Sequence, residues 1–468
     1  MLKSIFGNVV KFSLLLIFIF NSLVFALRIP VSLYSTEIIS LSGFKGMHSS
    51  FLEFSTLTLV ASLAVSIISI IFAVGLLLSE NADSRDYSLL SFISAMALLS
   101  VQSADILHFV FLSYMAMFIF LLYDDNTSSK SGFAKGRLLS GIFISIAIAA
   151  SAAALSITAF IESRGIIPGE QNFNLMLILL SLALFIQTGG FPFNIFSYDY
   201  LANLKEGKRA MWYSFISIPA VLFIGKSFFF VFENQNSLYF VYLLSTVSVL
   251  FSSLLLFVKK NISEFSSSFV ILLSSETLSV YLFGVIKGDS FYSSGAIQLI
   301  FMGVLLLISI DLLKREFIEN LRGAFKNKSF VVLSFLISAF SISFIPPSLG
   351  FIVKYEMIKS LVSENRYFPV GILLTAFTIE AFVLLRMLFT MFITEQTEDN
   401  WEKRNVKFEL FLLSAALFAS VFFFYTQRQM KEYTSAQYRE VAREFIKSKE
   451  AGLMENSPEM NQKQFLIE

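Results

Sequence analysis

Cysteine is absent from these 468 residues, and histidine occurs only as His48 and His108. The first absence excludes disulfides, thiolate nucleophiles, cysteine zinc sites and cysteine-ligated iron–sulfur clusters. The second leaves no histidine pair for haem or a metal, so neither a redox cofactor nor a metal site is expected. Charge is scarce: 15% of the residues are Asp, Glu, Lys or Arg, where soluble proteins carry roughly a quarter. Lys and Arg number 35 against 34 acidic residues, a net charge of +1, which offers no basic surface for nucleic acid. Proline occurs 8 times and tryptophan twice. Because proline is rare, each proline inside an apolar run carries weight.

What the chain has instead is hydrophobicity: 56% apolar residues and a mean hydropathy of +0.73. Crossing a bilayer as a helix takes roughly twenty apolar residues, and about thirteen such runs can be read. They fall near 9–27, 53–78, 87–102, 104–123, 137–162, 173–200, 210–231, 237–258, 266–286, 292–313, 329–361, 367–394 and 406–425. The chain therefore reads as an all-α polytopic membrane protein. Lys and Arg collect in the loops 124–136, 201–209, 259–264, 314–328 and 395–405, with Lys205, Lys208 and Arg209 in one of them. Simple alternation of the helices puts all these loops on one side, the cytoplasmic one, with the C-terminus outside. That asymmetry suits a bacterial inner membrane better than a mitochondrial one. Residues 1–52 read as an anchor helix and loop, although Lys3, Lys11 and the small Ala26 also suit a cleaved signal peptide. The core spans 53–425, and 426–468 is a charged tail. In it Tyr438, Val441, Ala442 and Phe445 recur at helical spacing, as in an amphipathic helix.

Ionisable groups inside such runs are costly and mark pathways or partners. The candidates are His108, Lys226, Glu276, Lys354, Glu380 and Arg386, with Asp105, Asp311 and Glu53 close enough to helix ends to reach interfacial water. Lys226 is near enough to an end to snorkel. Two runs are too long for one crossing and carry breaks: Gly189, Gly190 and Pro192 in QTGGFPF, and Pro346, Pro347 and Gly350 in FIPPSLGF. Interrupted membrane helices are tolerated where protein or water satisfies the freed backbone, and a pair of them points to an ion path. Lys354 follows the second break directly, and Glu380 on the next run is its expected partner.

At these breaks the chain resembles the antiporter-like, proton-translocating membrane subunits of respiratory complex I, the subunit N type of NADH-quinone oxidoreductase in particular. The second phrase, FIPPSLGFIVKY, carries the resemblance through Ile345, Pro346, Pro347, Gly350, Phe351, Ile352 and Lys354. The first, Gln187 to Tyr200, matches at Pro192, Phe193 and Asp199; weaker likenesses surround Arg322, Arg386 and the stretch 85–107. The resemblance covers about residues 50–425. It implies fourteen helices, one more than the apolar runs give, in two inverted five-helix repeats that each contain a broken helix. It further implies a place among the other membrane subunits of such a complex, in contact with lipid, and proton translocation driven by NADH oxidation and quinone reduction elsewhere.

The departures concern the family's charges. Positions where it carries a glutamate, two lysines and a histidine hold Tyr114, Gln187, Ser217 and Leu278 here. Neutral Tyr and Gln do not exchange protons near neutral pH, so the first half reads as scaffold. The second half keeps Lys354, with Glu380 or Glu276 as partners in a proton path. Alternative readings are a subunit of a multi-subunit cation/proton antiporter or membrane-bound hydrogenase, or a structural membrane subunit that pumps nothing.

Overall fold

The computed structural model describes residues 56–78, 84–102, 106–123, 129–162, 170–205, 207–229, 235–287, 290–313, 315–346, 348–393 and 405–425. The anchor run 9–27 and the tail helix expected within 426–468 lie outside them, as do Glu53, Asp105, Pro347 and the side chains of His108 and Lys226. Among the described residues every extended element is helical. The first four are α1 (Thr56–Leu78), α2 (Ser84–Gln102), α3 (Ile106–Leu122) and α4 (Ser129–Glu162). The expected start of α4 at 137 is corrected to Ser129. The apolar run marks only the part fit for lipid, whereas the helix continues into polar surroundings, where Arg137 pairs with Asp199.

The run 173–200 divides as its glycines and proline require, into α5 (Glu170–Thr188) and α6 (Asn194–Asn203). Next come α7 (Lys208–Trp212), a π-helical turn (Tyr213–Ser217) and α8 (Ile218–Phe229), joined end to end. They are followed by α9 (Gln235–Val258), α10 (Ile262–Lys287) and α11 (Ser290–Leu313). The run 329–361 divides into α12 (Ser329–Ile342) and α13 (Leu349–Ser363), and α14 (Tyr367–Phe392) and α15 (Val406–Tyr425) close the described chain. Among the described residues six helices, α9, α10, α11, α14 and α15 with them, are long and apolar enough to cross a membrane. This is an all-α, multi-pass membrane protein.

One order of elements occurs twice: three helices, a broken helix and a further helix, first as α2 to α8 and then as α9 to α14. An odd number of crossings per unit turns the second upside down relative to the first, as the inverted repeats implied. The centre lies where the units meet. In α10 and α11, 94% of the membrane-length window is buried, against 28–50% in the other spans. Helix α10 packs between α9 and α11, and α9 also packs on α14. Lipid tails are as apolar as leucine, so tight fit and hydrogen bonding hold such helices together. The buried serines of α10 fit that environment, with Ser267, Ser268 and Ser274 donating to the carbonyls of Ser263, Glu264 and Val270 one turn back.

Asp311 sits otherwise than its nearness to a helix end suggests. Asp311 does not reach interfacial water; it is buried and paired at 2.9 Å with Arg209, which had been counted among the basic loop residues. The guanidinium also donates to the carbonyls of Leu201 (3.1 Å) and Leu204 (2.8 Å) and to Ser263 Oγ (2.5 Å). Asp311 also accepts from the Gly207 amide at 2.7 Å. A planar fork of five donors can satisfy that many acceptors at once. The pair thereby ties the end of α6, the start of α7, α10 and α11 into one corner. Arg386 takes the opposite place, exposed on the outer face of α14 beside Phe382 and Phe389.

Candidate functional site

The second helix break is built from serine and glycine as much as from proline. Pro346 has no N–H to continue the ladder, and α12 ends at Ile342. Ser348 caps α13: its hydroxyl accepts from the Phe351 amide at 3.0 Å and donates to the Ser343 carbonyl at 2.9 Å, bridging the two halves. Serine is among the preferred N-cap residues for this reason. Gly350 lets the halves approach, since a Cβ there would lie 2.6 Å from the Ile342 carbonyl carbon and 2.7 Å from the Ser341 oxygen. The capped restart sets Lys354 early in α13, facing inward.

Two carboxylates meet Lys354 there. Its Nζ lies 2.7 Å from Glu380 Oε2 and is ion-paired as well with Glu276 Oε1. All three side chains are sealed from solvent, at 0% exposure for Lys354 and Glu380 and 1% for Glu276. Both carboxylates sit near the midpoints of their helices, on α10 and α14, roughly 17–21 Å from the ends at 1.5 Å per residue. The Phe377 ring faces the ammonium with its centroid 4.5 Å away, an arrangement that favours a cation. Glu380 Oε1 has no hydrogen-bond partner among the described residues. With every group ionised the triad carries one net negative charge; with one added proton it is neutral. A net charge in a low-dielectric interior is costly, so gain or loss of one proton here changes the local energy strongly. Two carboxylates joined by an ammonium can accept, share and release a proton. Among the described residues no three His, Cys, Asp or Glu side chains gather as a metal site requires.

The partner of Lys354 expected from the sequence was Glu380, with Glu276 as the other candidate; the structure brings both to it at once. Arg386 lies outside this cluster.

The corresponding place in the first unit is neutral. Gln187 is the last residue but one of α5, just before Gly189, whose φ of +75° suits glycine and few other residues. Gly190 and Pro192 complete that break, with the Phe191 amide donating to Ser248 Oγ at 2.9 Å. Gln187 Nε2 donates to Ser113 Oγ and to the Ile216 carbonyl at 3.3 Å. Tyr114 shares a hydrogen bond with Ser145, which donates to the Ala183 carbonyl at 2.6 Å. Ser217 and Leu278 are buried. Glu276, Lys354 and Glu380 stand on the second, fourth and fifth helices of the second unit. Tyr114, Gln187 and Ser217 stand on the second, fourth and fifth of the first. What sequence reading missed is the π-turn at Tyr213–Ser217, which no residue pattern announces, and the Arg209–Asp311 pair.

No family model matches the chain. It is 24% identical over 250 residues to the NADH-quinone oxidoreductase subunit N of Francisella tularensis subsp. holarctica, covering 50% of each protein. To the protein of that name from Pelagibacter ubique it is 25% identical over 134 residues, covering 29% of this chain and 28% of the other. To subunit N 1 of Thermodesulfovibrio yellowstonii it is 27% identical over 237 residues, covering 48% and 50%. The chain thus spans half the length, or less, of the relatives it matches. Similarity of structure extends further. A chain of respiratory complex I from Thermus thermophilus superimposes with a TM-score of 0.70 at 15% identity, over 89% of this chain and 92% of that one. A chain of the Mrp complex from a Dietzia species gives 0.73 at 14% identity, over 91% of both. A chain of the archaeal membrane-bound sulfane sulfur reductase gives 0.73 at 16%, again over 91% of both. The protein therefore has the fold shared by membrane subunits of these three assemblies, and in sequence it is similar to subunit N of NADH-quinone oxidoreductase.

Proposed function

We propose that this chain is a divergent N-type subunit in the membrane arm of a proton-translocating NADH-quinone oxidoreductase, in a bacterial cell membrane. The observation that carries the reading is the sealed Glu276–Lys354–Glu380 triad beside the second helix break. The fold is an antiporter-like core over 53–425, with 1–52 as anchor and 426–468 as a charged tail. In this reading the triad is a station on a proton path, and the first unit is mainly scaffold. Electron transfer belongs to other subunits; this one binds neither NADH, flavin nor quinone. Lys354→Ala in the assembled complex is expected to lower the protons moved per NADH oxidised while assembly and NADH oxidation persist. Unchanged stoichiometry in an intact complex would refute a proton path here and favour a purely structural subunit.

A second reading is supported by the two likenesses at a TM-score of 0.73, slightly above the complex I value. It places the chain in a cation/proton antiporter or membrane-bound hydrogenase-type assembly. Gentle detergent extraction decides between them. Flavin and iron–sulfur subunits of an NADH dehydrogenase co-purify under the first reading, and are replaced by antiporter or hydrogenase subunits under the second.

A further inference from the structure

Arg386 is a charge that the bundle leaves unused. It lies six residues before the end of α14 at Phe392, roughly 9 Å inside at 1.5 Å per residue. Phe382, Arg386 and Phe389 recur at i, i+4 and i+7, which makes them one stripe of the helix, and all three are exposed. A charged side chain on a membrane helix usually faces the interior or finds a partner; among the described residues this one does neither. The adjoining surface brings a second such cation to it. The Phe382 ring meets that of Phe257 on α9, with centroids 6.0 Å apart. Arg386 is one helical turn beyond Phe382, and Lys260 is three residues beyond Phe257, just past the end of α9 at Val258. The ends of both helices are tied to one link: the Lys260 carbonyl accepts from the Ile318 amide at 3.0 Å, and the Ile393 carbonyl from the Gly323 amide at 2.8 Å. Lys260 is exposed as well. Glu316 and Glu319 stand on or beside that link, yet neither is ion-paired with Lys260 or Arg386.

The geometry points to a binding site for one anionic phospholipid, in the leaflet on the side of the basic loops. Its phosphate sits between Arg386 and Lys260, and its acyl chains run along Leu254, Phe257 and Phe382, which are exposed on α9 and α14. A guanidinium binds phosphate through two parallel hydrogen bonds and an ammonium binds it as a point charge, so one phosphate serves both cations. Helices α9 and α14 are each long and apolar enough to cross a membrane, so the face they expose meets either lipid tails or another membrane helix. Membrane helices pack closely through small residues. The rings of Phe257, Phe382 and Phe389 hold a helix backbone away and suit acyl chains, which makes a partner helix the poorer occupant. The two cations also set the sign of the headgroup. A phosphatidylcholine brings its own ammonium to the site, whereas an anionic headgroup brings no competing cation. The site needs only the membrane location of the fold and holds whichever assembly contains the chain.

Native mass spectrometry of the full chain, purified in detergent and titrated with dioleoylphosphatidylglycerol or dioleoylphosphatidylcholine, tests the site. The first phosphatidylglycerol is expected to bind about tenfold tighter than phosphatidylcholine. Each Lys or Arg near an anionic lipid contributes about fivefold, so Lys260→Gln/Arg386→Gln should weaken that binding about 25-fold. Lys407→Gln removes an exposed lysine elsewhere, on α15 where Asn405 donates to the Leu78 carbonyl of α1, and should leave the binding unchanged. Equal affinity for the two lipids, or parental affinity in the double variant, overturns the site. Displacement of the lipid by inorganic phosphate shows a free-anion site and overturns it too. A second measurement leaves both cations in place and uses native membranes. Phe382→benzoylphenylalanine is expected, on illumination, to yield adducts enriched in anionic phospholipid over the bulk membrane. A crosslink to another protein shows that a subunit covers this face of α14, and adducts in bulk lipid proportion show no headgroup selection; either result refutes the site.

Discussion

The triad makes a prediction in which one substitution is damaging and three together are not. Lys354→Met keeps a long apolar stem but removes the ammonium, leaving Glu276 and Glu380 buried with no cation between them. Breaking a buried ion pair from one side typically costs 3–5 kcal/mol, because the surviving charge is uncompensated. Loss of the desolvated Phe377 contact adds about 2 kcal/mol. The expected penalty for Lys354→Met is therefore about 5–7 kcal/mol. In the triple variant Glu276→Gln/Lys354→Met/Glu380→Gln no charge remains, and replacement of a whole buried ion group is often neutral or stabilising. It should recover most of the loss, to within about 1–2 kcal/mol of the parent, the remainder reflecting imperfectly paired amides. SDS titration of the purified parent, the single variant, the triple variant and the Glu276→Gln/Glu380→Gln variant in mixed micelles, followed by circular dichroism, measures all four corners of the cycle. If Lys354→Met unfolds at the parental midpoint, or the triple variant is less stable than the single one, charge compensation is not what holds this site.

Three further outcomes follow from neighbouring geometry. Arg209→Lys keeps the charge but loses the fork that serves Asp311, two carbonyls and Ser263 at once. It should destabilise the protein by about 2–4 kcal/mol, seen as a lower SDS midpoint. Gly350→Ala drives a Cβ into the Ile342 carbonyl, so the second break must open; co-purification with partner subunits should fall severalfold, whereas Gly371→Ala, with open space around it, should leave it unchanged. Gln187→Lys places an unpaired ammonium in the neutral unit at an expected cost of about 3 kcal/mol or more. Adding Tyr114→Glu, beside the Ser113 that Gln187 touches, should recover part of it, and equal stability of the single and double variants would show that the two positions do not meet.

The breaks were legible in the sequence because proline and glycine act locally: QTGGFPF and FIPPSLGF cannot continue a helix, whatever surrounds them. Lys354 was legible for the same reason, being tied to a break by sequence distance. Its two partners lie on α10 and α14, and nothing in a linear pattern says which faces of those helices turn toward α13. Asp311 was misread because sequence measures depth along a helix axis, whereas burial depends on distance from the bundle axis. Asp311 is close to the end of α11 yet in the interior, since α11 is surrounded by protein. Arg386 shows the converse, lying well inside α14 in sequence yet on its outer face. The π-turn left no trace because no residue type in Tyr213–Ser217 marks i→i+5 bonding.

The two units also act as each other's control on why the triad exists. Both hold the same order of helices around a broken one. In the first, Tyr114 and the Gln187 amide are hydrogen-bonded to Ser145, Ser113 and the Ile216 carbonyl, while Ser217 Oγ and Gln187 Oε1 have no partner among the described residues. The fold therefore does not need charges at this level to bring the second, fourth and fifth helices together. A buried ion group is in general no more stabilising than a neutral or apolar replacement of the same shape, so stability does not account for placing Glu276, Lys354 and Glu380 in the second unit. What the triad provides and the neutral site does not is a change of charge on taking up one proton. That property is useful only if protons reach and leave it, so the proposed function turns on the routes by which they do.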